Sequence, residues 1–302
     1  MTFLELMKRF PTEQKVVEHY LTIRYPNGVC CNHCGSIKVY PRSESIKIFH
    51  CNDCRNAFSP FKNTIFEKSC TDLRKWVYAI HLFLNGRKGI SAMQLQREIG
   101  VTYKTAWRML HQIRMAMGNT DNPEFINTIV EIDETYIGGK PRKGNDKDDD
   151  GKNGGGKRGR GTNKTPVIGV VDRKGKQVFA KIALPDSKGR KLTARQLIDV
   201  LKTVSKAENN NTVMTDEFSS YRPLEQHGFV HLSVDHSKGY SYGDIHTNTM
   251  ESFWATLKRG VYGIYHHISV EYMQRYVNEF CFRYNNRGQD MFNLVLKQSI
   301  LV

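Results

Sequence analysis

The sequence predicts a multidomain α+β protein. Three observations predict it. Two C-x-x-C pairs lie close together near the N-terminus. Apolar residues then recur at helical spacing from Thr71 to Met117. Beyond Asn119–Pro123 the period changes, and short β-like runs alternate with helices, the pattern of an α/β domain on a mixed sheet.

In chain order, residues 1–25 read as an N-terminal helical segment, with Leu4, Met7, Phe10, Val16, Val17, Tyr20 and Leu21 at helix-like spacing. Pro26-Asn27-Gly28 closes it as a turn. Residues 26–62 form a short cysteine-bearing unit. Residues 70–118 hold three helices. The first starts at Thr71-Asp72 and ends at Asn85-Gly86, the second starts at Ser91 and breaks at Gly100, and the third opens at Thr102. Strands follow at Ile129–Ile132, Pro166–Val171, Val178–Leu184 and Thr212–Thr215. Helices are expected over Thr193–Lys206, Thr247–Arg259 and Ser269–Tyr284. Lys140–Lys164 stands apart: nine Lys/Arg, four Asp and seven Gly in 25 residues cannot bury a core. It reads as a disordered excursion between strands, either a plain solvated loop or a basic arm on DNA phosphate.

Charge narrows the function classes. The 302 residues carry 45 Lys+Arg against 30 Asp+Glu, a formal +15 that suits a polyanionic partner such as DNA. No apolar run approaches membrane-spanning length, and the N-terminus lacks signal-peptide features. The expectation is a cytoplasmic, nucleoid-associated protein with no membrane partner.

Cys31-x-x-Cys34 and Cys51-x-x-Cys54, 16 residues apart, supply four thiolates at the spacing of a tetrahedral Zn²⁺ site. With all four positions filled by protein, the zinc is structural, and the unit reads as a zinc ribbon. Cys30 is out of step by one. Cys70 and Cys281 read as buried small apolar residues. Lys38, Arg42, Lys47, Arg55 and Lys62 line the ribbon and suit DNA; the alternative is a protein-docking ribbon. The two helices around Gly100 have helix-turn-helix spacing. In that motif Thr102, Tyr103, Lys104 and Thr105 meet base edges, with Arg108 one turn on and Trp107 packed inward.

Carboxylates carry the chemistry. Asp133 ends the apolar run I-V-E-I-D, and Asp216 ends T-V-M-T-D. Glu251 lies 34 residues beyond Asp216 on a helix, with Lys258 seven residues further on the same face. Phosphodiester attack is served by two divalent ions about 3.5–4 Å apart. Hard Mg²⁺ (or Mn²⁺) takes carboxylate oxygen, so three acidic side chains must converge. Lys258 would hold DNA phosphate beside them, with Arg259 adjacent. Strand alternation places Glu131, Glu134 and Glu217 away from this site. Asn248 sits one turn before Glu251, either sharing the site or capping the helix, and His246 is read either as a helix-start residue or as a group behind the ligands, with neither preferred.

These residues together resemble the DDE-type transposases of bacterial insertion sequences, specifically the ISXO-two-like branch. The matching motifs are the two knuckles, I-D-E-T-Y-I-G-G, the Gly/Lys-rich insertion, T-D-E-F-S-S-Y and H-T-N-T-M-E-S-F-W-A-T-L-K-R-G. The resemblance spans nearly the whole chain. It implies a ribonuclease-H-like catalytic domain, here 126–292, behind the zinc ribbon. It implies Mg²⁺-dependent cutting at inverted-repeat ends, joining to target DNA, and a homo-oligomer on paired ends. Asp133 and Asp216 carry over as metal ligands and Lys258 as the end-contacting lysine. The third catalytic position stays open between Glu251 and Asn248. The competing readings are a non-catalytic DNA-binding regulator and a nuclease of the same fold that only hydrolyses.

Overall fold

Helix caps and strand alternation sort the chain into two units in the computed structural model: Met1–Thr120 with Gly288–Val302, and Asp121–Arg287. The structure describes every residue except 44, 119–121, 139–163, 188, 190–191, 207, 209–210, 217–218, 235–245 and 301–302. Most of the expected Lys140–Lys164 excursion lies outside the described residues.

In the first unit, α1 (Phe3–Arg9) opens on a Thr2–Glu5 capping box, and α2 (Glu13–Arg24) on a Thr12 cap. The single helical segment read over 1–25 is therefore two helices. Pro11 explains the break, because the residue before a proline is pushed out of the helical region, and Phe10 has left it (φ −125°, ψ 64°). The ribbon is a three-stranded antiparallel sheet, in order β1 (Val39–Arg42), β2 (Ser45–Cys51) and β3 (Ala57–Phe58). Its own buried cluster is only Cys31, Phe49, Cys51 and Phe58.

Three further helices follow. Asp72 caps α3 (Leu73–Asn85), which buries Trp76, Val77, Ile80 and Phe83. Ser91 caps α4 (Ala92–Ile99), and Gly100 ends it at φ +60°, a conformation glycine reaches without strain. The Thr102 hydroxyl accepts the Thr105 N–H at the start of α5 (Tyr103–Gly118). The far C-terminal α9 (Met291–Gln298) returns to pack on α3 and α5 through a stripe containing Phe292, Val295 and Leu296.

The second unit is built on one five-stranded sheet in the order β6-β5-β4-β7-β8. The strands are β4 (Ile129–Ile137), β5 (Thr165–Asp172), β6 (Gln177–Ile182), β7 (Thr212–Asp216) and β8 (Val230–Val234). β5 runs against β4 and β6, whereas β4, β7 and β8 are parallel. This is the mixed sheet that the sequence predicts, with β8 as an added strand. Helix α6 (Ala194–Val204), capped by Thr193, packs on one face with the 3₁₀ stretch Ser219–His227. On the other face lie α7 (Asn248–Gly260) and α8 (Val270–Asn285), joined through the π-helical turn Val261–Tyr265.

Two details fix α7 and α8 to the sheet. Gly169 on β5 faces α7, and a Cβ there would stand 2.3 Å from Met250 Cε and 2.5 Å from Trp254 Cζ2. The outer edge of β6 is met by side-chain amides of α8. Gln274 accepts the Ile182 N–H (2.9 Å) and donates to the Ala180 carbonyl (3.0 Å). Asn285 accepts the Val178 N–H (2.7 Å) and donates to the Val178 carbonyl (2.9 Å).

Gly169→Ala is expected to lift Met250 and Trp254 off the sheet and to destabilise this unit by about 1–3 kcal/mol, the usual range for overpacking. Urea unfolding followed by tryptophan emission checks it; an unchanged midpoint would remove the close approach from the argument.

Candidate active site

The ladder between β4 and β7 pairs Ile129–Glu131 with Thr212–Met214 and goes no further. Beyond it β4 continues to Ile137 and β7 to Asp216. The two strands part there, and a notch opens between them. Pleating sends Asp133 and Asp216 to the α7 side. One carboxylate oxygen each from Asp133, Glu134 and Asp216 lies within 4.8 Å of the others.

Glu134 overturns an expectation. Alternation does put it on the opposite face from Asp133, where it accepts a 2.9 Å hydrogen bond from the buried Tyr221 hydroxyl. Yet its carboxylate reaches the same notch. Opposite faces keep neighbours apart only where paired strands flank them on both sides, and past Glu131 the β7 side of β4 is unpaired.

Like charges this close repel by about 3 kcal/mol per pair at an effective dielectric of about 20. The Asp133 carboxyl is accordingly pushed up to about 7. Burial is the largest cause, the charges of Glu134 and Asp216 add to it, and the 3.1 Å hydrogen bond from Trp254 Nε1 opposes it. Three hard oxygen donors that cannot comfortably share negative charge fit a divalent cation.

Trp254 is buried, and its indole N–H meets Asp133, which registers α7 against the notch. Glu251 and Lys258 flank Trp254 at i−3 and i+4 on the same helical stripe. Glu251 is exposed in the first turn and stands outside the group of three carboxylates. Asn248 is exposed as the first residue of the helix; Lys258 is half-buried and Arg259 exposed.

The start of α7 is held by Glu131, Arg173 and His246, of which only His246 has a helix-start reading from the sequence. Glu131 has no exposed surface. Its Oε2 accepts the Met250 N–H (2.8 Å), and its Oε1 pairs with Arg173 Nε (2.5 Å). Arg173 also donates to the His246 carbonyl and lies 2.9 Å from His246 Nδ1, which accepts the Asn248 N–H (3.3 Å). His246 is thus a helix-start residue. The available signal was a glutamate inside an apolar strand, where an unpaired charge is not tolerated.

In the ribbon, Cys31, Cys34, Cys51 and Cys54 gather as expected. Cys31–Cys54 and Cys34–Cys51 are each separated by 3.6 Å between sulfurs. A tetrahedral Zn²⁺ with Zn–S near 2.3 Å spaces its sulfurs about 3.8 Å apart, so the cage fits the ion. Cys30 is outside the group. Cys281 packs half-buried against the sheet's second core, but Cys70 is exposed and is not the core residue expected.

Thr102, Tyr103 and Lys104 are exposed at the start of α5. Arg108 is turned inward, donating to the Glu67 carbonyl (2.8 Å) and lying over the Trp76 ring. Trp107 is half-buried, 3.9 Å from the His111 ring. On the ribbon, Lys38, Arg42, Arg55 and Lys62 are exposed, whereas Lys47 is taken up by Glu13 at 2.6 Å. Among the described residues no helix is long and apolar enough to cross a membrane.

Comparison with known proteins finds a family match in each of the two units. Residues 126–285 match the family model of the ISXO2-like transposase domain, and residues 11–57 that of the transposase zinc-ribbon domain. An uncharacterized protein in the transposable element ISH50 of Halobacterium salinarum is 31% identical, over 97% of this chain and 99% of its own length. Solved structures include the Mos1 strand transfer complex (15% identical, 74% of this chain and 77% of that one, TM-score 0.31). Another is a simian T-cell lymphotropic virus intasome (12% identical, 66% of each chain, TM-score 0.30).

Two outcomes are expected. Because the folded Asp133 holds its proton up to about pH 7 and the unfolded chain loses it near 3.8, the fold binds the extra proton in that window. Stability of the cation-free protein therefore falls as pH rises through it. Melts at about pH 5 and about pH 8 should show this fall, and Asp133→Asn should flatten it; an Asn variant with the parent slope contradicts the assignment. Separately, chelating the zinc should unfold the ribbon while the sheet unit stays folded, since structural zinc supplies about 10–16 kcal/mol to comparable peptides. Thiol titration and circular dichroism with and without chelator read this directly.

Proposed function

The chain belongs to the ISXO2-like transposases, and from that premise we propose that Asp133, Asp216 and Glu251 form its cation-binding catalytic centre. It is a DDE-type transposase. The observation that carries the residue assignment is the notch itself: two aspartates from parting strands converge under a helix whose position is registered on one of them.

When bound, a pair of Mg²⁺ or Mn²⁺ ions would supply the charge that activates an attacking oxygen and stabilises a leaving one. Asp133 and Asp216 hold that charge in place from the sheet. Glu251 completes the set from α7, and Asn248 stands beside it at the helix start. Lys258, on the same stripe, takes the phosphate next to the cut, and Arg259 takes a neighbouring one. Trp254 and the Glu131–Arg173 pair position these groups without touching DNA. The substrate proposed is the inverted-repeat end of an insertion sequence, cut and then joined to a target, by several copies acting together in the cytoplasm. Tyr103, Lys104 and Thr102 at the exposed start of α5, with the basic rim of the ribbon, are proposed to hold the DNA.

Purified protein on repeat-ended DNA with Mg²⁺ should yield joined products. Asp216→Asn is expected to lower the yield by about a thousandfold, in line with several kcal/mol of lost charge stabilisation. Lys104→Ala should weaken DNA binding and reduce its salt dependence by about one phosphate contact while joining persists at saturating DNA. Full joining by Asp216→Asn would sink the catalytic assignment.

A further inference from the structure

Glu134 stands in the notch for a reason its hydrogen bond does not explain. Tyr221 needs only an acceptor, and an amide oxygen at this position would serve as well. A carboxylate instead adds a negative charge within 4.8 Å of two aspartates. Such an arrangement is favourable around a cation. The phenol that holds it is fully packed in the core beside Leu224 and Phe229, so the Glu134 carboxylate is aimed from the face opposite α7.

We propose that Glu134 is a fourth carboxylate ligand of the catalytic centre, oriented by Tyr221. This rests on the cation-binding reading of Asp133 and Asp216. Glu134, on β4, approaches from the face that carries the 3₁₀ stretch Ser219–His227, whereas Glu251 approaches from α7. The two glutamates therefore bracket the aspartate pair from the two faces of the sheet. A centre for two ions gains from this arrangement, because each ion draws on a different glutamate while the aspartates lie between them. Tyr221 acts as a positioning residue: it takes one oxygen of Glu134 and fixes the side chain's direction, as partners beyond the ligands commonly do at metal sites.

The test measures Mn²⁺ binding to the full-length protein without DNA, by electron paramagnetic resonance and calorimetry, alongside a metal-free thermal melt. Glu134→Gln keeps an acceptor for Tyr221 and is expected to lower Mn²⁺ affinity at least tenfold or to reduce the number of ions bound. Its metal-free melting temperature should stay level or rise, since a like charge has gone. Tyr221→Phe keeps the charge and the ring, and is expected to weaken Mn²⁺ binding by up to about tenfold. Asp216→Asn is the control for the parent reading. If it loses Mn²⁺ while Glu134→Gln and Tyr221→Phe bind as the parent does, Glu134 is no ligand and this proposal falls alone. If Asp216→Asn also binds as the parent does, the cation centre itself is misplaced. Should Glu134→Gln fail to fold, Tyr221→Phe and Glu134→Asp decide: parent-like affinity in both overturns the proposal, and weakened binding in both supports it.

Discussion

A glutamate with no exposed surface cannot be left without partners, and Glu131 has two. One oxygen takes a backbone N–H at the start of α7, and the other takes Arg173. Removing one member of such a pair typically costs about 3–5 kcal/mol, because the remaining charge stays buried. The rest of the catalytic half follows from this constraint. The first turn of α7 is pinned to the middle strand of the sheet, so Trp254 arrives over the space left by Gly169 and meets Asp133. Glu251 and Lys258 then take their places on either side.

The site joins negative and positive charge on different scales. The chain as a whole carries +15, a field that draws a phosphate backbone from a distance. At the notch the sign reverses over a few ångströms, where Asp133, Glu134 and Asp216 crowd together. A polyanion drawn in by the first would be repelled by the second without cations between them. The Asp133 carboxyl is raised by burial first and by these neighbouring charges after it. Zinc solves a different problem in the other unit, where four buried core side chains are too few to hold a three-stranded sheet.

Local chemistry was the legible part of the sequence. The caps at Asp72, Ser91 and Thr193, the left-handed Gly100 and the cysteine spacing each depend on residues a few positions apart. Asp133 and Asp216 were legible because each ends an apolar run. What escaped depends on distance along the chain. Arg173 lies 42 residues from Glu131, and no local pattern pairs them. β8 is the exception: it reads V-H-L-S-V, a local alternation that the strands expected from the sequence do not include, and its Val230 and Leu232 are exposed. Glu134 was misplaced for a subtler reason. Alternation assigns faces correctly, but where a strand's partner has turned away both faces open on the same gap.

Strand pairing also bears on what the border of the sheet can accept. A sheet border with unfilled amides and carbonyls is a template on which another chain can add itself, and such addition is hard to limit once begun. On the β6 side, Gln274 and Asn285 imitate the missing neighbour, answering two backbone N–H groups and two carbonyls with their own amides. An incoming strand would have to displace four satisfied hydrogen bonds. That border is closed to the addition of a further strand.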